Sequence, residues 1–330
     1  MDAFSPEVER LLIDSRRLWA GEAVPEAPLL FVDLHSAGDW PERPLLPPCP
    51  VVGIGDPTHP LAAALDAVIE PPVGAEAMLR IVAAHPQAAA VAVQLLRMLP
   101  GLPAPDALVA ESMAYGLLQS SAEHRAWLAA RVADPVAKEG RVAVVRDDDA
   151  LHLALDRPES GNAIDRAMRD ALHEGLTLAA LDPGIGRVVL SGRGRCFSLG
   201  ADLAEFGTTT DPATAHAIRA RTLPARAALG CAARLEVHVQ GACVGAGLEL
   251  AAYAARIVAT PGAWFQLPEL AMGILPGAGG CVSLTARIGR QRAALMILSG
   301  KRIGARQALG WGLVDALVDA LPGDPGGADV

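Results

Sequence analysis

The sequence predicts an α/β protein preceded by an unusual, mainly helical N-terminal extension. Three observations lead there. Beyond residue 140, strand-like segments run repeatedly into glycine-rich loops and then into apolar helical patterns. Before it, long alanine- and leucine-rich runs are punctuated by prolines. Hydrophobic residues make up 52% of the chain against 20% charged, so large areas must be buried within the chain or between copies of it.

Residues 1–138 open with an amphipathic helical pattern over 6–19, followed by strand patterns in LLFVDL (29–34) and CPVVGIG (49–55). Pro41, Pro44, Pro47, Pro48 and Pro50 impose irregular backbone between those strands. A helical pattern over 61–69 is ended by Pro71 and Pro72. Two longer helices are expected at 75–98, divided at Pro86, and at 106–132, with Pro100 to Pro105 breaking the chain between them. Met113, Leu117, Trp127, Leu128 and Val132 read as one packing stripe, and DPVAKEG (134–140) as a linker.

Residues 139–320 form the second expected domain, with a flexible tail at 321–330. RVAVVRDDDALHLALDRP reads as two strands turned about Asp147 to Asp149. Asn162 is placed to cap a helix whose face is Ile164, Met168 and Leu172. The strand, loop and helix order then recurs through GRVVLSGRG, LEVHVQGACVGAGLELAAYA, ARIVATPGAWF and the helices after Gly277. Such ββα units bury one sheet face and pack helices outside it.

The net charge of -9 and pI near 5.4 argue against general attraction to nucleic acid or an anionic bilayer. No charged leader with an apolar run opens the sequence, which is read as soluble and cytoplasmic. The five cysteines, at 49, 196, 231, 243 and 281, lack metal-ligand spacing and read as small buried thiols. Cys243 has no activating base beside it in sequence.

Two glycine loops offer backbone donors. In GRGRCFSLGADL the amide of Ala201 is free to point outward, and in GACVGAGLEL that of Ala246 takes the same part. Two such donors on a thioester oxygen stabilise an enolate, and removing one from a working oxyanion hole costs about 3 kcal/mol. Glu249 and Glu269 supply carboxylates for acid/base work, and a shared dry pocket keeps one of them protonated. The plainer alternatives are that these glycines only make strand-to-helix turns and that the glutamates are a helix-start carboxylate and a surface cap.

Several ordered motifs carry a resemblance: RPESGNAI (157–164), GRCFSLGADL (194–203), GACVGAGLELA (241–251), FQLPELAMGILPGAGG (265–280) and LSGKRIGARQALGWGLVD (298–315). From about Val142 to Val318 the chain resembles the enoyl-CoA hydratase/isomerase, or crotonase, family. That resemblance implies a crotonase-like spiral of repeated ββα units and an acyl-CoA substrate, with no redox cofactor and no metal. Coenzyme A is then bound as part of the thioester. The Ala201 and Ala246 amides polarise the carbonyl, while Glu249 and Glu269 orient water and move a proton at the α-carbon. The resemblance runs the CoA moiety across Arg157, Ala163, Leu199 and Ala201, with Arg157 at the nucleotide end and Asp202 as scaffold.

The departures from the family pattern are also specific. Ala246 stands where many members have glycine, and Gln266 and Leu267 alter the run before Glu269. Family members continue into C-terminal helices that cover the acyl pocket and support trimers; here residues 75–133 are the expected replacement, as lid or intersubunit contact. A homotrimer or hexamer is the implied assembly. His238, Glu111 with Tyr115, and Trp127, Trp264 and Trp311 read as structural. The expected activity is hydration of a 2-enoyl-CoA. Isomerisation, thioester hydrolysis, cofactor-free arylacetyl-CoA oxygenation and a silent structural subunit are the competing readings.

Overall fold

The computed structural model describes residues 4–19, 27–36, 45–132 and 138–322. Packing gathers the chain into two compact units. The first takes Met1–Trp127, Pro268–Leu275 and Gly289–Lys301; the second takes Leu128–Leu267, Pro276–Ile288 and Arg302–Val330. Segments that sequence places in one C-terminal domain are therefore shared between units. Pro41 and Pro44, most of the expected linker and most of the expected tail lie outside the described residues.

In the first unit, four parallel strands lie side by side in chain order: Leu12–Ile13, Leu30–Asp33, Val51–Ile54 and Ala67–Val68. The helix expected over 6–19 is split into Pro6–Arg10 and Ser15–Trp19, because Leu12 and Ile13 pair with Phe31 and Val32. The helix expected over 61–69 is also corrected, to the 3₁₀ turn Pro60–Ala64 and the strand Ala67–Val68. Short apolar runs fit either period, and here sheet pairing decides. Ile13, Leu18, Leu30, Val32, Leu61 and Leu65 close the core beside this sheet.

Pro86 does divide its helix, into Ala75–Ala84 and Pro86–Met98. The Glu123 carboxylate accepts from the Gln87 and Ala88 amides at 2.8 and 3.1 Å, satisfying the start of the second piece. The run expected over 106–132 is likewise two helices, Ala104–Gln119 and Ala122–Ala130, with Ser121 Oγ accepting from the His124 amide. The proposed stripe fails: Met113, Leu117 and Val132 are exposed, and Ala107, Leu108, Glu111 and Leu118 face inward. Tyr115 is half-buried.

Two later segments are built into this unit by polar contacts. Buried Asp66 accepts from the Val51 amide at 2.8 Å and from Arg97 Nη2 at 2.6 Å, while Arg290 of the helix Arg290–Ser299 donates to the Leu65 carbonyl at 2.9 Å. A buried carboxylate is tolerated only when so fully paired. His124 Nδ1 meets the Met272 carbonyl at 2.8 Å, holding the turn Glu269–Met272.

The second unit holds a six-stranded sheet in the order Ala316–Leu317, Arg256–Ala259, Leu235–Val239, Arg187–Gly192, Ala150–Asp156, Arg141–Asp147. All neighbours are parallel except the last two strands, which form the expected hairpin, with Asp148 in the left-handed region at its turn. Leu151, Leu153 and Leu155 alternate onto a buried face, against which the helix Arg166–Leu181 lays Met168, Leu172 and Leu176. Each such side chain contributes about 1.5–3 kcal/mol by leaving water. A smaller sheet joins Ala242–Val244, Trp264–Gln266 and Ile303–Gly304. The parallel strands ending at Gly192 and Val239 deliver the two glycine loops from their carboxyl ends, where open α/β sheets present ligand sites.

Candidate active site

The first loop is laid down by a one-residue bridge between Ile164 and Ala201. Ile164 N donates to the Gly200 carbonyl at 2.8 Å, and Asp202 N donates to the Ile164 carbonyl at 2.9 Å. In extended backbone the N–H between two such groups points to the opposite side. The Ala201 amide is therefore turned away from Ile164, and among the described residues nothing accepts from it.

The second loop ends at Gly245, whose φ of 48° and ψ of -128° suit glycine alone, and Ala246 begins the helix Ala246–Ala251. The Ala246 amide occupies the first helical position, where no intrahelical acceptor exists, and it too meets no described acceptor. The loops are stacked. Ser198 bridges Cys243, donating its amide to the Ala242 carbonyl at 3.0 Å and accepting from Val244 N at 3.0 Å. A methyl added to Gly200 would lie 3.1 Å from the Val244 carbonyl oxygen and 3.5 Å from the Gly245 Cα, so little room for a side chain is left between the two loops.

Glu249 lies within this helix, one turn past the free amide, and is 2% exposed. It is a core carboxyl, more deeply set than a residue that merely opens a helix. Its Oε2 accepts from the Ala278 amide at 2.6 Å and the Gly280 amide at 2.8 Å, and Ser283 Oγ donates to its carbonyl at 2.8 Å. Burial pushes the carboxyl from its ordinary 4.5 up to about 7, against the opposing pull of the two amides. Gly280 must be glycine, since a β-carbon there would come within 2.7 Å of Oε2.

Glu269 is buried as well, at the start of its 3₁₀ turn, which sets aside the alternative that it is a surface cap. Its turn packs with the first unit, so the two glutamates belong to different compact units. Ala163 donates its amide to Ser160 and gives its carbonyl to Arg157; Leu199 is half exposed and shields Gly161.

Arg157 is bound within the fold. It is 3% exposed, with Nε donating to the Lys138 carbonyl at 2.7 Å and Nη1 to Asp202 Oδ2 at 2.6 Å. A guanidinium so committed anchors the loop. Asp202 is scaffold as expected, capping the Ala204 amide at 2.9 Å. Arg195, which sequence reasoning passed over, is exposed on the Ala201 loop with no described partner. Its signal was a basic residue within GRGRCFSLG.

Asn162 is not the helix cap. Asp165 is, accepting from the Met168 amide at 2.9 Å. His238 is buried against Glu236 at 2.7 Å. Cys243 is buried, and desolvation pushes its thiol well above the ordinary value, which makes it a poor nucleophile.

Residues 147–321 match the family model described as enoyl-CoA hydratase/isomerase. The chain is 38% identical over 181 residues to the 2,3-dehydroadipyl-CoA hydratase of Escherichia coli (strain K12), spanning 55% of this chain and 69% of that one. It is 33% identical over 176 residues to the mevalonyl-coenzyme A hydratase of Beauveria bassiana, spanning 51% and 63%. An enoyl-CoA hydratase subunit from Geobacillus kaustophilus HTA426 is similar in structure, with a TM-score of 0.50 at 30% identity over 54% of this chain and 68% of that one.

Proposed function

Because this chain belongs to the enoyl-CoA hydratase/isomerase family, we propose that it adds water across the double bond of a 2-enoyl-CoA thioester. The observation that carries the proposal is Glu249: a buried carboxyl with a raised proton affinity, bound by the Ala278 and Gly280 amides and carried on the same short helix whose first amide, that of Ala246, meets no described acceptor.

The thioester oxygen receives the Ala201 and Ala246 N–H groups, which stabilise the negative charge that grows as the enolate forms. Glu249, near neutrality in its proton affinity, takes a proton from water as the oxygen bonds to C3. A proton delivered to C2 completes the 3-hydroxyacyl product; Glu269 is assigned to this proton traffic by the motif it occupies. Water is split between the two carbons with no net oxidation, so coenzyme A enters only as part of the substrate and no further cofactor takes part.

A panel of 2-enoyl-CoA substrates, analysed by mass and by chiral chromatography, tests the reading. Gain of one water with a 3-hydroxyl group supports it. Shifted unsaturation at unchanged mass, or release of free CoA, rejects it in favour of isomerisation or hydrolysis.

We infer that Arg195, exposed on the Ala201 loop, meets a CoA phosphate. Arg195→Ala is expected to weaken CoA-thioester binding roughly 3- to 10-fold at low salt, with kcat unchanged and the difference shrinking as salt screens the charge. Calorimetric titration at two ionic strengths measures it.

A further inference from the structure

Asn162 is fully buried, sits at φ 52° and uses every polar atom of its side chain within the fold. Oδ1 accepts from the Arg157 amide at 2.9 Å. Nδ2 donates to the carbonyls of Arg193 at 2.8 Å, Cys196 at 2.9 Å and Phe197 at 3.1 Å. Its own carbonyl accepts from Ser198 Oγ at 2.9 Å, and the same hydroxyl accepts from the Gly200 amide at 3.1 Å. One residue thus grips the loop at four points, the last of them passing through Ser198 to the peptide that precedes Ala201.

The grip has a direction. The left-handed turn at Asn162, a conformation that asparagine tolerates and most residues resist, sends the chain back so that Ile164 lies beside Ala201. The Ile164 bridge is what turns the Ala201 amide away from its neighbours. Gln240 adds support at the far end of the loop, donating to the Gly192 and Gly194 carbonyls, and its own carbonyl accepts from Phe197 N at 2.8 Å. Asn162 is thus the side chain that holds the loop from Arg193 to Ser198, beside the backbone bonds of Ser198 to Ala242 and Val244.

We propose that Asn162, relayed by Ser198, is the positioning residue for the Ala201 donor: it sets where that N–H points and so how strongly the bound thioester is polarised. The inference rests on the hydration reading above, in which Ala201 meets the thioester oxygen. Asn162 itself touches no substrate atom.

The test uses the full chain and the chromophore 4-dimethylaminocinnamoyl-CoA, whose absorption moves to longer wavelength as hydrogen bonds pull electron density onto its carbonyl. In the difference spectrum against free probe, recorded with protein in saturating excess, band position reports polarisation in each bound molecule, whereas loss of folded protein lowers only the amplitude. Asn162→Asp keeps the shape and the left-handed preference but replaces the three-way donor with an acceptor. It is expected to return the bound band toward that of free probe and to lower kcat on the order of 10- to 100-fold, the scale of a small misplacement, with KM within about threefold of wild type. Ser198→Ala, which cuts only the relay, is expected to shift the band partway and serves if Asn162→Asp does not fold. A folded variant whose bound probe absorbs at the wild-type wavelength overturns the positioning role. A wild-type protein that binds the probe without any shift, or does not bind it, overturns the hydration reading and this inference with it.

Discussion

Glu249→Gln is expected to lower kcat by roughly 10²- to 10⁴-fold, the range that a positioned acid or base contributes. The glutamine side chain keeps an oxygen for the Ala278 and Gly280 amides but can no longer take up a proton. In the wild type, kcat is expected to rise with pH through about 7, where the buried carboxyl ionises, and the variant's residual rate should lack that inflection. Stability should move the other way. The folded protein binds this proton more tightly than the unfolded chain, whose carboxyl titrates near 4.5. The resulting stabilisation is full below about pH 4.5 and is lost as pH rises through 7, a change on the order of 3 kcal/mol. Urea unfolding at pH 5 and pH 8 measures it: the wild type should weaken across that interval by more than Glu249→Gln does. Unchanged turnover in the variant would remove Glu249 from the chemistry, and the same substitution at Glu269 checks the role assigned by motif.

Ala246→Pro should delete one oxyanion donor while leaving the fold nearly intact. Position 246 is the first of its helix, where proline is well tolerated, and its amide holds no described partner that would be lost. Gly245 before it has no β-carbon to clash with the ring. Loss of one such donor is expected to cost about 2.7–4 kcal/mol in the transition state, or roughly 10²- to 10³-fold in kcat. Single-turnover kinetics paired with thermal unfolding separates the effects. A large drop in rate with a melting temperature near wild type supports the donor role, and wild-type turnover rejects it. The test is unusual in removing a backbone group by a side-chain change, which the first-turn location makes possible.

Local patterns carried much of the architecture. The hairpin about Asp148, the strands at 187–192 and 235–239, the break at Pro86 and the glycine turn before Ala246 follow from alternation, ring geometry and positive φ, all of which act within a few residues. Where distant partners compete, the same patterns failed. Leu12 and Ile13 became a strand because Phe31 and Val32 lie beside them. Met113 and Leu117 have the spacing of a packed stripe but face water, the inward face being that of Leu108 and Leu118. Arg157 pairs with Asp202, 45 residues away, a partner that no local pattern announces.

By itself the sequence determined the family-level chemistry: which residue types stand at 201, 246, 249 and 269, and that the first two sit at loop ends with amides to spare. Short-range sterics dictate such turns, so they are written locally. Tertiary structure alone decided how those groups behave. Burial raised the proton affinity of Glu249 against the opposing pull of the Ala278 and Gly280 amides, and packing drew Glu269 into the first unit. A web of hydrogen bonds centred on Asn162 aimed the Ala201 loop. Proton affinity and donor direction depend on solvent exclusion and on partners 29 and 31 residues apart in the chain, and neither is a property of any segment taken alone.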